Sequence, residues 1–315
     1  MRKILITGSL GLLGSSCVRL FREKGWDVTG IDTNRRAYFF GTEEQEGDAL
    51  SIDIRDEEAI NALFAAKKFD AVIHAAGQPA HEWANDHVLE DFDINARGTL
   101  VLLEAARTYT PDAPFVHVST DKVFGENFGH GEKVTEYLGL DFAGRRSFFG
   151  CSKTAADIYA QEYMNYLGMK IGVFRPGCIT GKNHKGAPQH GFLAYIAKCV
   201  RDGIHYDIHG DGVTRDQIHA DDLANAFWHF IEDPLPDVYT IGGGQERAVT
   251  TMEAIYAFEK LLKKDASYTL NQQPYRKGER VFDVHDFSKF QTVYPEWVQH
   301  YSLDDILRDL CHEKN

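Results

Sequence analysis

The first half of the chain alternates between short apolar runs and longer amphipathic segments. The apolar runs are rich in β-branched residues and have no polar face, which predicts buried strands at 3–7, 27–32, 50–54, 71–76, 115–120 and 171–176. Most of the segments between them, such as 57–68 and 95–109, carry apolar residues at helical spacing. Together they predict an α/β fold with a Rossmann-type doubly wound parallel sheet, covered by helices on both faces.

After residue 176 this alternation fades, and the chain predicts less regular structure. Residues 205–231 predict a strand, a turn, a second strand and a helix, while 238–244 predicts a strand that can rejoin the sheet. We therefore expect two interlocked units. They are a dinucleotide-binding domain of residues 1–175 plus about 218–244, and a smaller mixed α/β substrate lobe of 176–217 and 245–315. Ligands of doubly wound folds bind beyond the carboxyl ends of the strands, so we expect the site between the two units.

Composition narrows the possible partners and the compartment. The 315 residues carry a formal net charge of −13 at pH 7, and such a surface repels nucleic acid and anionic membranes. The five cysteines are widely spaced without a CxxC pair, and the histidines are scattered, which favours free thiols and no metal site. The first strand begins within three residues and no apolar run approaches the ~20 residues of a membrane span, so we expect a cytoplasmic protein.

A glycine pattern follows the first strand directly, in "ITGSLGLLGSS". Gly8, Gly11 and Gly14 lie at GxxGxxG spacing before a helix, where they allow a tight turn, close approach of a pyrophosphate, and close packing of helix on strand. Asp32 ends the second strand, where a carboxylate accepts hydrogen bonds from ribose hydroxyls and disfavours a 2′-phosphate. The pattern predicts NAD as the cofactor. Arg35 and Arg36 follow closely, within reach of such a phosphate.

Further motifs extend along almost the whole chain: "HAAGQ" (74–78), "NARGT" (95–99), "STDKVFG" (119–125), "FGCSKTAAD" (149–157), "FRP" (174–176), "QHGF" (189–192), "TRDQIHADD" (214–222) and "ERVFDVHD" (279–286). With the glycine turn, they resemble the extended short-chain dehydrogenase/reductase family of NAD-dependent nucleotide-sugar epimerases and dehydratases. Within it the chain is most similar to the CDP-paratose (CDP-tyvelose) 2-epimerases. The resemblance implies an NAD site formed by Gly8, Gly11, Leu12, Leu13, Gly14, Asp32, Asp53, Ile54, Ala75, Ala76, Gly77, Asn95 and Lys153.

The resemblance also implies a mechanism. In the family a tyrosine phenolate removes a proton from a sugar hydroxyl while the carbon gives hydride to the nicotinamide. A lysine one helical turn later binds the nicotinamide ribose, and a Ser or Thr after strand five hydrogen-bonds the reacting oxygen. Lys153 and Thr120 match the lysine and the hydroxyl residue, but Phe149 stands at the tyrosine position. A phenyl ring cannot accept or donate the proton.

Three explanations of Phe149 are open. Tyrosine has been replaced deliberately to trap a substrate, another base such as Asp121 acts instead, or the protein binds ligand without catalysis. Lys122 after Asp121 differs from the Asp-Glu pair of dTDP-glucose dehydratases, which disfavours that dehydration, but an Asp-Lys pair also resembles CDP-glucose dehydratases. We therefore predict an NAD-dependent nucleotide-sugar epimerase. A 4,6-dehydratase or dehydrogenase and a non-catalytic NAD sensor or scaffold are the alternatives.

The substrate lobe supplies candidate ligands for a nucleoside-diphosphate sugar, with a CDP-sugar favoured by the resemblance. Arg215 and Arg280 match the arginines that family members direct at the pyrophosphate, and His190 and Phe192 are candidates for contacts with the base or sugar. The segments 98–109 and 155–168 have apolar faces with small residues. The equivalent helices pair across a two-fold axis in this family, so the resemblance predicts a homodimer.

Overall fold

The computed structural model describes residues 1–35, 48–125, 133–138, 147–187, 191–209, 212–271, 275 and 280–311. Within them, a seven-stranded parallel sheet has the order β10-β6-β5-β4-β1-β2-β3. Its strands are β1 (Lys3–Thr7), β2 (Asp27–Asp32), β3 (Leu50–Ser51), β4 (Ala71–His74), β5 (Phe115–Val118), β6 (Ile171–Pro176) and β10 (Asp237–Ile241). This is the doubly wound order, so the predicted fold class is confirmed.

Helices cover both faces of this sheet. One face carries α1 (Leu12–Glu23) and α8 (Ala220–Glu232), whose apolar sides bury Cys17, Phe21, Phe227 and Phe230. The other carries α2 (Glu57–Lys67), α5 (Gly98–Tyr109) and α6 (Phe148–Asn165), with a second core that includes Phe64 and Leu102. Between β4 and α5 in the sequence lie two short helices, α3 (His81–Asp86) and α4 (Val88–Phe92), and a π-helical turn, Asp93–Arg97. The strands contribute apolar side chains to both cores, one on each face of the sheet, which is why the strands have no polar face.

A smaller lobe lies at the carboxyl end of the sheet. It contains the helices α7 (Phe192–Asp202), α9 (Thr251–Leu262) and α11 (Leu303–Cys311), with its own apolar core. Its strands are β7 (Cys178–Thr180), β8 (Tyr206–His209), β9 (Thr214–His219), β11 (Ala248–Thr250), β12 (Tyr268–Asn271) and β13 (Phe282–Asp283), and α10 (Ser288–Val293) packs back on the large sheet. The chain passes from β9 of the lobe to α8 and β10 of the large sheet and returns to the lobe at β11, so the two units are interlocked along the sequence. The proposed domain bounds stay a prediction.

The predicted strand bounds differ from the structure where side chains stop facing the sheet. The strands predicted at 3–7, 27–32 and 171–176 have these bounds, and the strand predicted at 238–244 joins the sheet beside β6. Those predicted at 50–54, 71–76 and 115–120 end two or three residues earlier, because their last residues turn into the site described below. No helix among the described residues is both long and apolar enough to cross a membrane.

Candidate functional site

Two adjoining cavities lie beyond the carboxyl ends of the parallel strands. The smaller has a volume of about 210 Å³ and the larger about 640 Å³. They share the lining residues Leu12, Leu13, Ala75, Ala76, Gly77, Pro79 and His184. They therefore form one continuous cleft, which runs from the glycine turn to the substrate lobe.

The glycine turn forms one wall of the smaller cavity. Gly8 has φ +66°, and a Cβ there would lie 2.7 Å from the backbone nitrogen of Ala76. A Cβ at Gly14 would overlap the carbonyl oxygen of Gly8. Helix α1 begins just after Gly11 with no side-chain cap and no acidic residue in its first turn. Its first N–H groups and its positive dipole end therefore suit a pyrophosphate, which the closely packed turn allows to approach.

Asp32 also lines the smaller cavity. Its carboxylate accepts hydrogen bonds from the backbone N–H groups of Leu10 (3.0 Å) and Asn34 (2.7 Å), so it ties the glycine turn to the end of β2. The guanidinium of Arg35 pairs with Glu90 at 3.2 Å. This pairing neutralises the cation that would otherwise attract a 2′-phosphate beside Asp32.

Asp53 and Ile54 also line the smaller cavity. Burial opposes ionisation of Asp53, but hydrogen bonds from the Arg55 side chain, the shortest 2.7 Å, outweigh it and lower the pKa of the carboxyl. Ile54 is 5% exposed and offers an apolar surface. Asp53 and Ile54 therefore place a charged side chain beside an apolar one in this wall, which suits the polar edge and the apolar face of a nucleobase.

The larger cavity contains the predicted catalytic positions together. Thr120, Phe149 and Lys153 all line it, with Phe149 one turn before Lys153 on α6. Lys153 is buried, and its Nζ donates to the carbonyl oxygen of Val118 at 2.7 Å. Burial lowers the pKa of Lys153 to about 8. The Phe149 ring, 6% exposed, packs against the His81 ring with 4.5 Å between their centres.

Asp121 is held in an ion-pair cluster beside Thr120. Its carboxylate accepts a hydrogen bond from the Thr120 hydroxyl (3.1 Å) and from Lys122 Nζ (2.9 Å), and it pairs closely with Arg280. The Thr120 hydroxyl and two cations therefore already occupy this carboxylate. The geometry therefore argues against Asp121 as the replacement for the tyrosine.

Asp283 completes this cluster. Lys122, Arg215 and Arg280 all lie about it, at 3.0, 3.0 and 2.9 Å. Burial alone would raise the pKa of Asp283, but the surrounding cations hold it well below its usual range. Although Asp121, Asp283 and His285 are close enough to ligate a metal ion, the cationic side chains already neutralise the two carboxylates.

The predicted substrate residues are placed differently from one another. Arg215 and Phe192 line the larger cavity, beside Tyr195 and Tyr206, which the sequence did not indicate. Arg280 is 4% exposed, directed at Asp121 and Asp283, and is not among the lining residues. His190 lies outside the described residues. Aromatic side chains of the substrate lobe therefore line the larger cavity.

Asn95 supports the cleft from behind. It lies in the π-helical turn and is not among the lining residues of either cavity. Its side chain exchanges hydrogen bonds with the backbone of Gln78 (2.8 and 3.0 Å) and donates to Asp91 and Ser152. This buried network fixes the loop after β4, so Asn95 positions the cleft wall. In the sequence, the motif "NARGT" marked Asn95 as a residue of the NAD site, and the structure places its side chain in this buried network.

Comparison with known proteins agrees with this geometry. The model of the "NAD dependent epimerase/dehydratase family" matches residues 4–242. The CDP-paratose 2-epimerase of Salmonella typhi is 28% identical over 96% of this chain and 96% of its own. The dTDP-glucose 4,6-dehydratase of Neisseria meningitidis serogroup B is 28% identical over 79% of this chain and 73% of its own.

Solved structures give the same fold. The UDP-glucose 4-epimerase of Thermus thermophilus, crystallised with NAD, superimposes with a TM-score of 0.85 at 24% identity, over 98% of this chain and 97% of that one. The UDP-glucose 4-epimerase of Thermotoga maritima superimposes with a TM-score of 0.82 at 24% identity, over the same shares. At such identities the likeness concerns the fold alone.

Proposed function

The chain belongs to the NAD dependent epimerase/dehydratase family, and from that premise we propose that it is a nucleotide-sugar epimerase acting on a CDP-sugar. The observation that carries the proposal is the continuous cleft. The glycine turn lies at one end, Thr120, Phe149 and Lys153 lie in the larger cavity, and Arg215 and aromatic side chains line its substrate side. The CDP-paratose 2-epimerase relative, which aligns along 96% of the chain, supports the choice of sugar class.

NAD, the cofactor of the family, accepts hydride from the sugar carbon when it is bound. The first turn of α1 and the Gly8 turn would hold its pyrophosphate, and Asp32 its adenosine ribose. Lys153 would donate to the nicotinamide ribose, and Thr120 to the reacting oxygen of the sugar. Arg215 and Phe192 would bind the diphosphate and the nucleotide.

Asp32→Ala is expected to weaken NAD binding by about 10- to 100-fold, because it removes an ionised acceptor of ribose hydroxyls. The preference for NAD over NADP should fall, since repulsion of the 2′-phosphate is lost. Calorimetric titration with both cofactors measures the change. Asp27→Ala, at the exposed opposite end of β2, is the matched control. Equal affinity for NAD in both variants would contradict the role of Asp32.

Product analysis tests the reaction class. Purified protein with NAD is incubated with CDP-, UDP- and dTDP-hexoses, and the sugars are analysed by NMR and mass spectrometry. Epimerisation leaves the mass unchanged, whereas dehydration lowers it by one water. We expect an epimer, because position 122 carries a lysine whose Nζ is paired with Asp121 and Asp283, rather than a carboxylate that could remove a sugar proton. A dehydrated product would overturn the proposal.

Phe149 favours one second candidate, a protein that binds NAD and a nucleotide sugar without turning the sugar over. The phenyl ring keeps the shape of the family site but has no titratable group. Tight binding of NAD and a nucleotide sugar by calorimetry, with no product from any hexose in the panel, would favour this sensor or scaffold.

We also propose a homodimer through α5 and α6, with α4 beside them. Apolar side chains there are exposed, including Tyr159 (47%), Phe148 (48%), Phe92 (49%) and Leu89 (83%). Light scattering is expected to give the mass of a dimer. Tyr159→Glu should shift it to a monomer, whereas Tyr256→Glu, on exposed α9 of the lobe, should not. A monomeric unsubstituted protein would contradict the proposal.

A further inference from the structure

The cavity lacks the hydroxyl that the family reaction requires, so the proton of the sugar hydroxyl needs another acceptor. Among the described carboxylates nearest Thr120, Asp121 and Asp283 are committed to Lys122 and Arg280. Lys122 is itself paired with both carboxylates. An acceptor that works near neutral pH is therefore to be sought elsewhere on the cavity wall.

His81 lies directly beside the ring that stands at the tyrosine position. It begins α3, lines the larger cavity, and its ring packs on the Phe149 ring at 4.5 Å between centres with 44° between planes. The two rings are in contact and both line the cavity, so the imidazole lies in the same part of the cavity wall as the ring at the tyrosine position. Among the described residues that line the cavity, His81 is the one whose ring contacts that of Phe149.

A second contact orients the imidazole. His81 Nδ1 lies 3.2 Å from Ser147 Oγ, and this oxygen, which caps α6, accepts the N–H of Gly150 at 3.1 Å. The hydroxyl oxygen can also accept an N–H from Nδ1, which is the tautomer that a base at Nε2 requires. In that tautomer Nε2 carries the lone pair and can accept a proton. The cap thus links the imidazole to the same first turn of α6 that carries Phe149, one turn before Lys153.

We propose that His81 is the general acid–base of this protein, in place of the family tyrosine. The inference rests on the proposed epimerase function. In the oxidation, the O–H bond of the sugar would break, Nε2 of His81 would take up its proton, and bound NAD would supply the hydride acceptor. In the return step His81 would give the proton back to the carbonyl oxygen as the hydride returns to the other face of that carbon, so the proton and the hydride are each taken up and given back.

His81→Gln is expected to lower turnover by about 10²–10⁴-fold, because the amide keeps a polar side chain but cannot take up a proton. The affinities for NAD and CDP-hexose, measured by calorimetry, should change little. His87→Gln on the exposed end of the same helical segment is the matched control. Phe149→Tyr in the His81→Gln background should restore turnover, because it supplies the family hydroxyl beside Lys153.

Spectroscopy tests the role without turnover. In protein labelled with isotopic histidine, the His81 ring nitrogen resonance, assigned through His81→Gln, should shift when a CDP-hexose is added without NAD. CDP alone should leave it unchanged, because only the sugar supplies the hydroxyl that hydrogen-bonds Nε2.

The outcomes separate the inference from the function that it rests on. Retained turnover in His81→Gln overturns the role of His81 while the epimerase stands. An inactive unsubstituted protein that Phe149→Tyr activates does the same. If neither protein turns over any hexose of the panel although NAD binds, the epimerase function itself fails.

Discussion

Lys153→Met is expected to lower NAD affinity by about 10²-fold, because it removes a cationic donor directed into the cavity. Lys153 lines the larger cavity, and one of its N–H groups is already bound to the Val118 carbonyl oxygen at 2.7 Å. That bond fixes the direction of the ammonium, so the others are available for ribose hydroxyls. Methionine keeps the length of the stem without the charge. Calorimetric titration with NAD measures the loss.

The same substitution should remove a pH-dependent part of the free energy of unfolding. Burial lowers the pKa of Lys153 to about 8, whereas the unfolded chain keeps the ordinary value near 10.4. Between these values the unfolded state holds one more proton, so the free energy of unfolding rises with pH, by about 3 kcal/mol across the window. Below about pH 8 both states are protonated and the group contributes no slope.

Urea unfolding at about pH 7 and about pH 10 measures this effect. The stability difference between the unsubstituted protein and Lys153→Met should change by about 2–3 kcal/mol between the two conditions. Lys170→Met, at an exposed position, is the matched control and should show no such change. The same difference at both pH values would mean that Lys153 is not desolvated, and the account of the cavity would then be wrong.

Asp283→Asn is expected to lower the free energy of unfolding by about 3–5 kcal/mol, because breaking a buried ion pair leaves its partner charges uncompensated. Asp283 is 1% exposed, and Lys122, Arg215 and Arg280 all lie within 3.0 Å of its carboxylate. Asparagine keeps the size and one acceptor oxygen, so the change isolates the loss of charge. Chemical unfolding of both proteins at neutral pH measures it.

A surface carboxylate offers the matched control. Asp304 is exposed and pairs with Arg308 one turn along α11 at 2.7 Å, so Asp304→Asn should cost no more than about 0.5 kcal/mol. Because its surroundings depress the pKa of Asp283, its contribution persists above the usual carboxyl pKa and is lost only as the pH falls through the lower folded value. A cost for Asp283→Asn equal to that for Asp304→Asn would show that the cluster is hydrated rather than buried.

Local patterns carried most of the fold. The apolar strands predicted a parallel sheet, and the strands at 3–7 and 171–176 have the predicted bounds because each is buried along its length. The predicted family and its NAD dependence are confirmed. The glycine turn and the motifs between 74 and 222 are each a short run of neighbouring residues, and all of them lie within the residues that match the family. CDP-sugar specificity, the homodimer and the individual site residues stay predictions.

The sequence by itself determined the features that depend on neighbours along the chain. The Gly8 turn needs its φ and its missing Cβ, and Lys153 needs only its spacing from Phe149 on one helix. Only the tertiary structure decided which side chains meet across the cleft. The His81 ring packs on the ring of Phe149, which lies 68 residues later in the sequence. Arg280 pairs with Asp121 and Asp283 and does not line the larger cavity. Such contacts join the ends of separate strands and helices, and their distances are fixed by the packing of the sheet, for which no local pattern of residues gives a signal.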